Sequence, residues 1–122
     1  MSSTFLWVGL SLGAGCGAVM RFLLDGAVSR AVPTSLPIGT MAVNLTGAFA
    51  LGVINGAALP HAAMFVFGTG MVGAYTTFST WMFETQRLAE ERQAGRAAQN
   101  IYLSVVLGLA VGAAGLWIGG RL

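Results

Sequence analysis

Residues 68 to 85 read GTGMVGAYTTFSTWMFET, and they gather most of the side chains in this sequence that could do chemistry. Four hydroxyls, on Thr76, Thr77, Ser79 and Thr80, surround two rings, Phe78 and Trp81, with no charge until Glu84. The rings are spaced i, i+3 and so share one helix face. An aromatic ring is negative on its face and positive at its edge, so ring edges can meet a small anion without a full charge. The hydroxyls can donate to an anion or satisfy stray backbone carbonyls. Gly68, Gly70 and Gly73 precede this cluster, and glycine permits a turn. They are expected to open the helix there, and carbonyls freed by an opened helix can coordinate a small cation. A glycine kink with ordinary aromatic packing is the competing reading.

Other polar residues stand alone in apolar surroundings. Asn44 lies in GTMAVNLTGAF. A buried amide needs a partner, either on a neighbouring helix or along a wet path where its NH2 is a donor for an anion. Arg21 precedes Asp25 by four residues. It can snorkel to an interface, pair with Asp25, or supply positive potential at a pore mouth. His61 has no second metal-type ligand near it in sequence, and the lone Cys16 sits in a glycine-rich run as a small packing residue.

These residues need elements to hold them, and the distribution of charge defines the elements. The 122 residues are 56% hydrophobic and 8% charged, against about 25% charged in soluble domains. So short a chain cannot bury that much apolar surface in itself, so lipid takes the place of a core. Residues 1–20, 31–83 and 97–120 carry no charge. A spanning helix needs about 20 apolar residues. The reading is a single all-α membrane domain, residues 1–122, with four transmembrane helices: Phe5 to Leu24, Pro37 to Ala58, Ala62 to Trp81 and Ile101 to Gly119. The first is too long for a signal-peptide core and is kept as a span. The segment ETQRLAEERQAGR, 84 to 96, is expected to carry the third helix on into water as a solvated end that turns near Gly95, with Glu84, Arg87 and Glu91 spaced to pair. Glycines at four-residue spacing (Gly9, Gly13, Gly17; Gly52, Gly56; Gly108, Gly112; Gly115, Gly119) form flat faces for close helix packing, within one chain or between copies. Six scattered arginines and no lysine do not make a nucleic-acid surface.

Three motifs, in order, carry a resemblance across the whole chain. GAVMRFLL at 17–24, GTMAVNLTGAFALG at 39–52 and GMVGAYTTFSTWMFET at 70–85 are similar to those of the Fluc/CrcB family of fluoride-specific ion channels. The resemblance implies antiparallel dimers of four-helix subunits with a broken third helix and two fluoride pores, exporting fluoride passively and so protecting the cell. It also implies a structural sodium ion at the dimer centre, not transported, held by main-chain carbonyls that fall here on Gly73 and Thr76. By motif position the pore and fluoride-contacting residues would be Asn44, Phe78, Ser79 and Trp81, with Arg21 lining a vestibule. Ala74 and Trp81 stand where the family pattern has glycine and phenylalanine, and the fourth helix offers one hydroxyl, Ser104.

The arginines raise a second possibility for the dimer. Arg21, Arg30, Arg87, Arg92 and Arg96 fall toward one side of the membrane, against Arg121 and the N-terminal amine on the other. Basic residues set orientation, so this imbalance suggests one orientation per subunit and, as the alternative to a dual-topology homodimer, which stays the first reading, a heterodimer with a homologous, oppositely inserted chain. Rival classes are a non-conducting assembly subunit and a small multidrug-type antiporter. The antiporter needs an intramembrane carboxylate, and Asp25 stands only at the end of the first span. No acid–base pair, metal cluster or nucleophile motif suggests an enzyme.

Overall fold

The computed structural model describes residues 2–122; the N-terminal amine lies outside them. Among the described residues all regular structure is helical. Helix α1 runs Ser3–Ala31, capped by Ser2, whose hydroxyl accepts from the Phe5 N–H. Helix α2 runs Ile38–Gly56 and α6 Ala94–Gly119. These three are long and apolar enough to cross a membrane. The fourth unit is composite: a short α3 (His61–Ala63), a π-helical stretch (Met64–Val72), a turn α4 (Gly73–Tyr75), three residues outside any helix, then α5 (Ser79–Glu90).

Two helix ends differ from the sequence expectation. Helix α1 continues seven residues beyond Leu24, because nothing in DGAVSRA breaks it before Val32 turns extended ahead of Pro33. Asp25 and Arg21 are therefore inside the helix. Helix α6 begins at Ala94, so Gly95 does not make the turn. Arg92 does, at φ 62°, with Gln93 N–H bonding Leu88 O at 2.8 Å and Arg92 N–H bonding Ala89 O at 3.2 Å. Those two bonds close a Schellman motif and satisfy the last carbonyls of α5, which offsets the strain of a non-glycine left-handed residue. The expected solvated end, exposed at Gln86, Arg87, Glu90 and Glu91, also has a packed face. Its Thr85 and Leu88 are buried, as are Ala97 and Asn100 of α6, with Asn100 Nδ2 donating across to Thr85 Oγ1. Of its charges, Arg87 pairs with Glu91 at 3.8 Å, while Glu84 turns instead to Thr40.

The spaced glycines serve mostly inside the chain. A Cβ on Gly52 would run into Gly112 O, and one on Gly115 or Gly119 into Phe49 O or Val53 O, so α2 and α6 touch backbone to backbone. Gly13 and Gly17 do the same for α1 against Val66 O and Met71 O of the composite unit. Such contact replaces the hydrophobic force that helices lack toward each other in lipid. At one end of the bundle Trp7 packs edge-on against Phe65 and His61 stacks on that same ring, while Arg121 lies 4.3 Å from the Trp117 ring centroid. These amphipathic rings suit a membrane–water interface.

Candidate functional site

The site begins where helical bonding stops. Thr76 has φ −79° and ψ 160°, an extended conformation that ends α4. Its N–H and its hydroxyl both bond Val72 O, at 3.0 and 3.2 Å. Thr77 N–H, which a continuous helix would give to Gly73 O, goes instead to Asn44 Oδ1 at 2.8 Å. Asn44 Nδ2 returns a bond to Thr77 O at 2.9 Å. The amide of α2 thus pairs with both polar groups of one residue, as a neighbouring strand would. Thr77 Oγ1 then accepts from Thr80 N–H at 3.2 Å and caps the first turn of α5.

The glycines do not make this interruption. No glycine has positive φ; Gly68 and Gly70 lie inside the π-helical stretch, and the Gly73 N–H still bonds back to Gly68 O. The smallness of Gly70 admits α1: a Cβ there would stand 2.9 Å from Leu10 O. The interruption falls three residues later, where Asn44 outcompetes the helix for the Thr77 backbone.

Five of the sequence-predicted residues line one open groove of about 370 Å³: Asn44, Gly73, Thr76, Phe78 and Trp81. Phe78 is 71% exposed, and its ring meets Trp81 edge to face at 5.7 Å and 73°. Ser79 is exposed beside them. Arg21 is not on this groove. It lines a smaller cavity of about 150 Å³ with Asp25, Thr40, Thr77 and Thr80. Thr77 borders both spaces, and Arg21 forms no ion pair with Asp25, which accepts from Ser29 Oγ at 3.2 Å.

Sequence reasoning passed over Thr40 and gave Glu84 to Arg87 by spacing. The Thr40 hydroxyl donates to Glu84, tying α2 to α5 just past the apolar stretch. A signal was present: Thr40 and Asn44 are i, i+4 on one face of α2, and Glu84 closes the third motif. Tyr75 and Thr46, whose hydroxyls lie 2.7 Å apart, were also missed.

The carbonyls of Gly73 and Thr76 have both lost their helical donors, since Thr77 N–H goes to Asn44 and Thr80 N–H to Thr77 Oγ1. Gly73 is exposed, and a Cβ there would meet only Gly68 O, at an ordinary contact distance of 3.8 Å. Two hard oxygens with unspent lone pairs suit a small hard cation.

Comparison with known proteins gives a consistent result. The model of the family described as "CrcB-like protein, Camphor Resistance (CrcB)" matches residues 8–116. A Mycobacterium bovis protein named "Fluoride-specific ion channel FluC 2" is 55% identical over 113 residues, covering 93% of this chain and 90% of its own length. A Mycobacterium tuberculosis protein of the same name matches equally. A Leifsonia xyli protein named "Fluoride-specific ion channel FluC 1" is 41% identical over 115 residues, covering 91% of this chain and 84% of its own.

Proposed function

Since the chain belongs to the CrcB family, and relatives 55% and 41% identical to it are named fluoride-specific ion channels, we propose that it is a multi-pass membrane protein that conducts fluoride passively out of the cell. The observation that carries the reading is the Asn44–Thr77 pair, because it sets the end of α4 and the start of α5 on either side of a groove that holds Phe78 and Trp81. The composite unit from His61 to Glu90 is then one membrane crossing interrupted at Thr76–Phe78, the fourth span beside α1, α2 and α6.

Each polar group has a part in this reading. One N–H of Asn44 remains beyond the bond to Thr77, and it donates to fluoride. Phe78 and Trp81 offer positive ring edges, and Ser79 a hydroxyl. Arg21 draws the anion toward the vestibule from its cavity below Thr77 and Thr80. The exposed groove is the face covered by a second, antiparallel copy. Two copies would bring the carbonyls of Gly73 and Thr76 to a shared centre, where a sodium ion would lock the interrupted segment and add fixed positive charge without being transported. Efflux of fluoride, and not of chloride, from liposomes holding this protein tests the reading.

One observation favours a second form of the dimer. Arg30 ends α1, and Arg87, Arg92 and Arg96 cluster about the α5–α6 turn, all at one end of the bundle, whereas Arg121 is at the other. A charge bias of this kind orients a subunit one way and makes the partner a homologous chain inserted oppositely.

A further inference from the structure

Three polar atoms, one on α5 and two on α6, have no hydrogen-bond partner and are cut off from solvent: Trp81 Nε1, Asn100 Oδ1 and Ser104 Oγ. Asn100 is fully buried. The two helices form an antiparallel hairpin in which Thr85 faces Asn100. One turn toward the connection, Leu88 stands level with Ala97, and both are buried. Continued one turn the other way, the register set by Thr85 and Asn100 pairs Trp81 with Ser104. By that register the three residues fall on adjacent levels of the hairpin.

We propose that these three atoms hold a single water molecule between them. The proton inventory decides the guest. Thr85 Oγ1 spends its proton on Trp81 O at 2.8 Å, so toward Asn100 it can only accept, and it does so at 2.9 Å. That fixes the Asn100 amide with Nδ2 toward Thr85 and leaves Oδ1 without a partner. What remains is one pure donor (the indole N–H), one pure acceptor (Oδ1) and one hydroxyl that can do either. No two of them are hydrogen-bonded to each other. A water accepts from the indole, donates to Oδ1 and completes the set with Ser104, which gives it the three partners usual for buried water. An anion of the same size would face the lone pairs of Oδ1. A second copy of the chain cannot supply the partner, because the atoms are already occluded within one chain.

The assignment has a consequence for the ring. The indole N–H, the one donor that Trp81 adds to a phenylalanine, is spent on the seam and orients the ring from behind. Trp81 is then a positioning residue for its own ring, which meets the groove with carbon edges only. The water site itself rests on packing and proton inventory and stands whether or not the chain conducts.

Nuclear magnetic resonance of the 15N-labelled full chain in lipid nanodiscs tests this. Trp81→Phe identifies the Trp81 indole signal among those of Trp7, Trp81 and Trp117. The expected result is a cross-peak from that N–H to water, unchanged when sodium chloride is replaced by sodium fluoride, and lost in Ser104→Val, whose methyls fill the site. Ser104→Ala, the milder change, should shift the Trp81 signal while leaving those of Trp7 and Trp117 in place, which also reports that the fold is intact. Absence of the water cross-peak, or a Trp81 signal indifferent to both Ser104 variants, overturns the proposal. A shift of the Trp81 signal specific to fluoride overturns it in favour of an anion.

Discussion

The amide of Asn44 and the backbone of Thr77, 33 residues apart, hold each other through two hydrogen bonds of 2.9 and 2.8 Å. One side chain thereby does what a strand partner would do, and the helix that Thr77 would have continued stops. Asn44→Leu is therefore expected to orphan both Thr77 backbone groups, at a cost of about 1–3 kcal/mol, and to abolish fluoride efflux. Thermal unfolding in detergent, measured beside liposome flux, checks both. Unchanged stability would show that the pair does not hold the interruption.

Phe78 is exposed on the groove, so its contribution lies in what it presents and not in what it fills. Phe78→Ile keeps the bulk and removes the positive ring edge. Flux is expected to fall at least about tenfold, the rate equivalent of roughly 1.4 kcal/mol, with the elution volume of the assembled protein unchanged. Wild-type flux would reduce Phe78 to packing.

The sodium site proposed at the carbonyls of Gly73 and Thr76, which lack helical donors, is tested by replacing the ion. Protein purified and assayed with a large organic cation in place of sodium is expected to lose efflux and to regain it when sodium is returned. Equal activity without sodium would remove the ion from the account.

Much of this arrangement was legible in the sequence, and the residues show why the rest was not. The charge-free runs locate α1, α2 and α6, because lipid imposes a length and a polarity that no tertiary contact overrides. The ends at Ala31 and Ala94 were missed because a helix tolerates charge where it leaves the membrane. The interruption was expected, but at the glycines; it falls at Thr76–Phe78 because its cause is a partner on another helix, and Asn44 competing for a backbone N–H leaves no local mark at residue 77. The same holds for Glu84. It was read as a partner for Arg87 by spacing, while Thr40, 44 positions away, takes it. Asn44 lies in one motif and Phe78 and Trp81 in another, and only folding brings the three to one groove.

Orientation can be read with reporters fused after Leu122. A subunit fixed by its arginines is expected to report mostly one side of the membrane, and to need a homologous partner for full flux. Comparable signals on both sides, with strong efflux from the single purified chain, would establish the dual-topology homodimer instead.

The central claim is that Asn44, Phe78 and Trp81 form a path for fluoride and for no larger anion. Liposomes reconstituted with this protein, or with its partner subunit where the topology reporters call for one, are loaded with equal fluoride and chloride, and both effluxes are followed by ion-selective electrodes. The account predicts rapid, passive release of fluoride with chloride retained. Release of the two ions at equal rates would contradict it.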